Sequence, residues 1–406
     1  MIEEQEYLDP KLYYANELDD WTKLWCHDTS FYHNFENIID ECVYFPNREA
    51  VLPLVTIYSL VPSKWSKVLG ILMCYGREGS GKSTVSHLAC KFHGQKQTFS
   101  ATDTFASIRN SLDKMRWLTS DKQFEKEGAI LCWDNIHSST LTENKAIYQM
   151  LLFGYNRASE KISIANSSGE NLDFYVFSPK ILSTVDPIHL DTRFRELHRR
   201  IYLIPHKPYK MFTAHDKTPY QHRTIEDRLD LDSICWDGIE DKFHQFWGDK
   251  GNCAKYAKLR TSLTRKNSQY SKNLPKSITS ERWTITIDLI VTGIVTGKWS
   301  SPIEAIEYFD TYWQYIDSEM IESSATIGLL KLFINEQVGR EIAINQKLIA
   351  EGFSPNDIYL SPNKLKDKML FHAARGELDI SATNKEISEI MNQLGWKLTT
   401  KGWKQI

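Results

Sequence analysis

Nine residues, Gly76-Arg77-Glu78-Gly79-Ser80-Gly81-Lys82-Ser83-Thr84, constrain this chain more than any other stretch. They follow the apolar run Val68-Leu69-Gly70-Ile71-Leu72-Met73-Cys74-Tyr75 and lead into a segment patterned as a helix from Thr84 to Phe92. Strand, glycine loop and helix in that order are the context a phosphate loop requires. Glycines at 76, 79 and 81 let the backbone curl with its N–H groups inward. The helix that follows adds the positive end of its dipole, so a polyphosphate is held mostly by main chain. Lys82 is then expected to reach the β- and γ-phosphates of ATP, and the Ser83 hydroxyl to ligate Mg²⁺. Gly76, Gly79, Ser80, Gly81, Lys82, Ser83 and Thr84 are thus the candidate nucleotide-binding residues.

The flanking pattern asks for a parallel sheet. Gly128-Ala129-Ile130-Leu131-Cys132-Trp133-Asp134-Asn135 reads as a buried strand whose carboxyl end releases Asp134 beside Lys82, where a carboxylate can hold the hydration shell of Mg²⁺. Gln97–Ala101, Tyr175–Thr184 and Ile201–Pro205 are further strand candidates, and Thr104 to Leu118 reads as a helix. Strands alternating with helices favour an α/β fold, a parallel sheet with helices on both faces. Arg48 to Leu60 has apolar residues at helical spacing, with Pro53 tolerable only in a first turn. Lys161–Asn166 and Leu172–Phe177 flank a polar, glycine-containing tip and read as a β-hairpin.

Bulk properties exclude more than they identify. At 406 residues the chain has room for two or three domains, and a net charge of -3 says little about partners. The seven cysteines are scattered with no Cys-x-x-Cys pair, as expected of buried thiols in a reducing cytoplasm. No apolar run approaches the ~18 residues of a membrane span, and the first residues are acidic where a signal peptide is basic. The expectation is a soluble cytoplasmic protein.

The phosphate loop, the acidic strand end, the hairpin, Ser178-Pro179-Lys180-Ile181-Leu182-Ser183-Thr184 and then Leu190-Asp191-Thr192-Arg193-Phe194-Arg195-Glu196-Leu197-His198-Arg199-Arg200 before a last strand resemble the AAA+ ATPases. More narrowly they resemble the ATPase module of phage- and plasmid-type primase-helicases, related to the superfamily III helicases. The likeness covers residues 48–206 well and 275–406 loosely. It implies an N-terminal extension (1–45), an AAA+-like P-loop core (46–206), a connector and helical lid (207–325) and a winged-helix-like domain (326–406).

The resemblance also assigns roles. A polar residue ending the fourth strand senses the γ-phosphate, which maps onto Thr184 or Ser183. An arginine before the last strand reaches a neighbouring subunit's site, which maps onto Arg199 or Arg200, with Arg193 and Arg195 behind them. The hairpin lines a pore, giving Lys161, Asn166 and Ser168 contact with nucleic acid. Ile278–Gly297, an apolar helix pair, fits the lid, with Arg282 as a second nucleotide sensor. One position departs from the family: the glutamate that usually follows the strand-end aspartate is Asn135 here. An amide holds a water but does not take its proton as a carboxylate does. Either Glu143 or Glu78 substitutes, or ATP acts mainly as a switch.

The C-terminal half offers nucleic-acid contacts. Lys255, Lys258, Arg260, Arg265, Lys266 and Lys272 are interleaved with Tyr256 and Tyr270, a pattern that neutralises phosphates and stacks on bases or else forms a basic linker. The tail resembles a winged helix, with helices at Ile327–Glu336, Ser361–His372 and Thr383–Leu394, the last opened by a Thr383/Glu386 capping box. A hairpin, Trp396–Lys404, follows. Lys385, Asn392 and Gln393 would face the major groove, and Lys397, Lys401 and Lys404 the phosphates. The function expected is that of a ring-forming homo-oligomer, a hexamer among the candidate rings, that binds ATP and Mg²⁺ and acts on DNA as a helicase or replication ATPase of a mobile element, with any primase a separate protein. The alternative is an ATP-binding scaffold or loader with weak or no hydrolysis.

Overall fold

The computed structural model describes residues 19–95, 98–100, 102–115, 130–165, 169–189, 191–223, 225–265, 268–323, 325–374, 387–388, 391–392 and 394–405. They form two compact units, one of Met1–His189 with Glu196–Gln314 and one of Leu190–Arg195 with Tyr315–Ile406. The longer elements of the first unit run α1 (Phe31–Cys42), α2 (Arg48–Ser59), β1 (Ile71–Gly76), α3 (Lys82–Phe92), α4 (Phe105–Met115), β2 (Leu131–Trp133), α5 (Ser138–Glu143), α6 (Lys145–Phe153), β3 (Lys161–Ala165), β4 (Asn171–Tyr175), β5 (Lys180–Thr184) and β6 (Ile201–His206). After these come α7 (Ile239–Gly248), α8 (Lys250–Thr264) and α9 (Ser280–Thr296); α10 (Pro302–Ser323) begins in the first unit and ends in the second.

The sheet has four strands in the order β2-β5-β1-β6, all parallel. Strands β2, β5 and β6 are buried at every residue, which is why they read as unbroken apolar runs. The register pairs Tyr75 with Thr184 and Gly76 with His206, so β1, β5 and β6 end level. Of the strand expected at Gln97–Ala101, Phe99 makes a parallel bridge to Trp133 at the β2 edge. Gln97 and Ala101 themselves lie outside the described residues.

Several elements differ from the sequence expectation, each for a local reason. Tyr175–Thr184 is two elements: Tyr175 closes β4, and β5 begins only at Lys180. Pro179 lies between them with no N–H for a ladder, and its carbonyl accepts from the Leu131 N–H at 2.8 Å. Strands β3 and β4 form the antiparallel hairpin, while the tip residues Asn166 and Ser168 lie outside the described residues. Helix α4 braces that hairpin, with the Tyr175 N–H donating to Asp113 Oδ1 at 3.1 Å and the Arg109 guanidinium 3.8 Å from the Phe174 ring centroid. Pro53 stands in the second turn of α2, beyond the first, and the helix runs through it. An interior proline costs about 3 kcal/mol; burial of α2 from Ala50 to Ser59 offsets it.

The apolar stretch Ile278–Gly297 is one helix, not a pair: α9 is capped by Thr279 and stopped by Gly297 at φ 93°. Its Asp288 is 0% exposed and ties the unit together. The carboxylate accepts from the N–H groups of Lys67 and Val68 at 2.9 Å each, from the Tyr256 hydroxyl at 2.8 Å and from Arg260 Nε at 2.7 Å. A buried charge is tolerable only when its lone pairs are used in this way. The same contacts make Tyr256, 1% exposed, a core residue and remove it from any base-stacking surface.

The second unit contains α11 (Ala325–Ala350), α12 (Pro362–Ala374) and an antiparallel pair, β7 (Trp396–Thr399) and β8 (Gly402–Gln405). Helix α11 runs well past the expected end at Glu336. Phe333, Leu365, Met369, Met391, Trp396 and Trp403 share one apolar core. Of the expected third helix, residues 387–388 and 391–392 are helical; Thr383, Lys385, Glu386 and Gln393 lie outside the described residues. Among the described residues no helix is long and apolar enough to cross a membrane, and all seven cysteines are free.

Candidate nucleotide site

The turn from β1 into α3 needs glycine at three places. A Cβ on Gly76 would lie 2.1 Å from the His206 carbonyl oxygen, because β6 runs alongside to its last residue. Gly79 and Gly81 sit at φ 70° and 84°, where other residues are strained. Gly81 is the N-cap of α3 and no side chain caps that helix, which leaves its first amides for an anion. Ser80 Oγ donates to the Arg77 carbonyl at 2.6 Å, and His206 Nδ1 lies 3.1 Å from the Ser80 carbonyl. Burial pushes the His206 pKa down to about 4, so the ring is neutral and Nδ1 is the donor. Lys82 is 8% exposed, and its Nζ donates to the Arg77 carbonyl at 2.8 Å. Burial lowers its pKa, against the pull of Cys74, Asp134 and Glu78. Thr84 is half-buried in the next position of the same turn.

Strand β2 delivers its carboxylate to this loop. The Asp134 N–H donates to the Phe99 carbonyl at 2.8 Å, fixing the strand end. Asp134 Oδ1 accepts from Ser83 Oγ at 2.8 Å and also from Ser183 Oγ, so β2, β5 and the first turn of α3 converge on one oxygen. The Ser83 hydroxyl and the Asp134 carboxylate are hard oxygen donors side by side, a fit for Mg²⁺, which takes one or two protein oxygens and fills its octahedron with phosphate and water. Among the described residues no group of three or more His, Cys, Asp or Glu is placed to hold a metal ion.

Next to Asp134 the chain bends sharply. Asn135 sits at φ 54°, a left-handed conformation that asparagine tolerates better than glutamate, and its N–H donates to Ser183 Oγ at 3.0 Å. Of the two γ-phosphate sensor candidates, Ser183 therefore touches the carboxylate. The Thr184 hydroxyl is used in a local turn, accepting from the Asp186 N–H at 3.0 Å. Glu143 is exposed at the end of α5, and Glu78 is exposed in the loop itself.

Three groups near this edge escaped the sequence reading. Asn135 Nδ2 lies 3.1 Å from His137 Nε2, and His137 Nδ1 lies 3.7 Å from Asp186 Oδ2. Asp186 accepts from both the N–H and the hydroxyl of Ser138 at 2.7 Å. The spacing Asp134-Asn135-Ile136-His137 was a legible signal for the histidine; nothing local signalled Asp186. Arg228, exposed on the segment after β6, brings Nη1 to 3.6 Å from where a Cβ on Gly81 would stand.

The other arginines stand elsewhere. Arg199 and Arg200 precede β6 at the amino-terminal edge of the sheet, and the Arg200 carbonyl accepts from the Ile71 N–H at 2.6 Å. Arg199 is paired with Glu196, and the Arg200 guanidinium lies 4.7 Å from the Tyr155 ring centroid. With Glu281, Thr284 and Ile285 they line a cavity of about 240 Å³. Arg282 donates to the Ser277 carbonyl at 2.7 Å and lies over Trp313, which stacks on Tyr202 near the start of β6. In the second unit Arg193 is paired with Asp191, and Arg195 is exposed. The structure thus brings Lys82, Ser83, Asp134, Asn135, Ser183 and Thr184 to one edge of the sheet, and leaves Arg199, Arg200 and Arg282 at the other.

No protein-family model and no curated protein matches the chain. A solved structure described as the SCCmec type IV Cch active helicase is similar to it, at 14% identity and a TM-score of 0.38, over 94% of this chain and 68% of that one. A likeness of that degree carries no argument about function, which rests on the residues themselves.

Proposed function

We propose that the chain is an ATPase of AAA+-like build that works on DNA as a homo-oligomer, as a helicase or replication ATPase of a mobile element. The observation that carries this reading is the convergence of the Ser83 and Ser183 hydroxyls on Asp134 at the mouth of a glycine loop that holds Lys82. Loop amides and Lys82 would hold the β- and γ-phosphates, with Ser83 and Asp134 on Mg²⁺. When bound, Mg²⁺ neutralises charge that builds on the transferring phosphoryl group. Arg199 and Arg200 stand at the edge away from their own loop, where a neighbouring copy could use them. Lys161 on the hairpin, and Lys397, Lys401 and Lys404 on and between β7 and β8, are exposed and would supply cations for DNA phosphates, with Lys161 and Lys404 exchanging Asp173 and Asp357 for them. Helices α11 and α12 with that pair support a winged-helix reading of the second unit.

A second reading, an ATP-gated scaffold or loader, is favoured by Asn135 alone, since an amide does not accept the proton of an attacking water. ATP turnover with and without single-stranded DNA, measured beside Lys82→Ala, separates the two. DNA-stimulated turnover lost in the variant supports the motor, and strand displacement then distinguishes helicase from loader. ATP binding with no turnover supports the scaffold. A chain that binds no ATP refutes both.

A further inference from the structure

We infer that His137, set between Asn135 and Asp186, is the group that takes the proton from the water attacking the terminal phosphate, in place of the absent glutamate. The inference rests on the nucleotide-site reading and names the base within that same site. Its geometry is a chain across the ends of β2 and β5. Asn135 leaves β2 beside Asp134, its amide meets His137 Nε2 at 3.1 Å, and Asp186 faces the other ring nitrogen at 3.7 Å. An amide N–H pointing at Nε2 makes that nitrogen the lone-pair bearer and puts the ring proton on Nδ1, toward the carboxylate.

Asp186 is built to hold that orientation. Ser138 gives it two hydrogen bonds at 2.7 Å, and its own N–H is fixed on Thr184 at 3.0 Å, at the end of a fully buried strand. Burial would raise its carboxyl pKa, but Ser138 and His137 outweigh that and hold it below the usual range, so it stays ionised opposite the ring. Tyr75, near the end of β1, feels the same carboxylate: its pKa is raised by burial and by Asp186, against the pull of Arg77. His137 is 35% exposed by side chain, which leaves the ring reachable by water.

The attacking water replaces the Asn135 Nδ2–H at Nε2, donating one O–H to that nitrogen and the other to Asn135 Oδ1. As its oxygen bonds to the γ-phosphorus, the bond from phosphorus to the bridging oxygen breaks and that electron pair leaves on ADP. The second water proton passes to Nε2, and the imidazolium, faced by Asp186, releases it to solvent. The products are ADP, phosphate and one proton. The left-handed backbone of Asn135 fits this division of labour: the strand-end position holds an amide suited to that turn, and the base comes from two residues on.

The test measures ATP affinity at equilibrium and ATP turnover against pH for the full chain, His137→Asn, His137→Gln and Asp186→Asn. Both histidine variants should retain wild-type affinity, lose turnover by about 100-fold, and lose the acid limb of the wild-type pH profile; Asp186→Asn should lose less and shift that limb. Unchanged turnover in His137→Asn overturns the inference while leaving the nucleotide-site reading intact. So does a wild-type chain that binds ATP without hydrolysing it. A wild-type chain that fails to bind ATP overturns both.

Discussion

The Ser83 hydroxyl donates to Asp134 Oδ1 at 2.8 Å, joining the first turn of α3 to the end of β2 across the sheet. Ser183 donates to the same oxygen, so two hydroxyls orient this carboxylate. A site preorganised in this way spends little of its binding free energy on ordering side chains.

Asp134→Asn isolates the charge, because it keeps an acceptor oxygen for both serines. ATP affinity measured with Mg²⁺ should fall to the value measured with a chelator present, and turnover should fall by roughly 100-fold. Equal wild-type affinities with and without Mg²⁺ would remove the metal from Ser83 and Asp134.

Two glycines in the loop should fail differently when replaced by alanine. At Gly76 the new methyl would lie 2.1 Å from the His206 carbonyl, a backbone atom that cannot step aside, so Gly76→Ala should destabilise by about 1–3 kcal/mol or more. At Gly79 there is open space but φ is 70°, and the cost should be the left-handed strain alone, about 1–2 kcal/mol. Chemical denaturation of the two variants ranks them; a more stable Gly76→Ala would mean that β1 and β6 do not end together.

Much of the core was legible because its strands are short apolar runs with the candidate site residues at their ends, and because glycine and lysine in the loop have few alternatives. Asp134 could be placed from its strand together with the glycine loop that precedes it. The rest depended on contacts between distant segments. Pro179 splits what reads as a single apolar run, and Tyr256 lies in a basic, solvent-like stretch yet is buried because Asp288 draws it in. Arg282 carries no local sign that it will lie over Trp313. His137 could have been noticed from its spacing to Asp134, whereas its partner Asp186 reaches it only through the pairing of β2 with β5.

The buried histidines give stability a defined pH dependence. Burial holds His206 at about 4, against an ordinary 6.5, with the Ser80 carbonyl pulling upward and Lys82 downward. His93 and His189 are likewise held at about 4 by burial. Between those values the unfolded chain binds protons that the folded chain does not, so stability should be full above pH 6.5 and fall as pH drops toward 4. Each ring contributes a loss of order 3 kcal/mol at most. Denaturation midpoints across this range should drop less steeply in His206→Gln than in the wild type; identical slopes would mean the ring is not buried neutral.

Asp288 offers a test of architecture apart from chemistry. Replacing it with alanine leaves the Arg260 guanidinium and two backbone N–H groups without their acceptor in the interior. Loss of one partner of a buried pair costs about 3–5 kcal/mol, so Asp288→Ala should lower the unfolding midpoint sharply. A silent substitution would mean that α8 and α9 do not depend on this carboxylate to hold the entry to β1.

Arg228 stands over the glycine loop of its own chain, with Nη1 3.6 Å from the Cβ position of Gly81. Gly81 is the N-cap of α3, so a guanidinium there faces the groups that would hold a phosphate, and a charge-assisted bond from it would add to theirs. Arg228→Ala should weaken ATP binding by roughly tenfold and ADP binding by a similar factor if it meets the inner phosphates. It should leave thermal stability close to wild type, since the side chain is exposed. Arg282→Ala, measured in parallel, separates the two candidates. A loss of affinity there and none at Arg228 would return the role to the residue named by the family resemblance, and would require the Arg282 guanidinium to leave Ser277 and Trp313 when nucleotide binds.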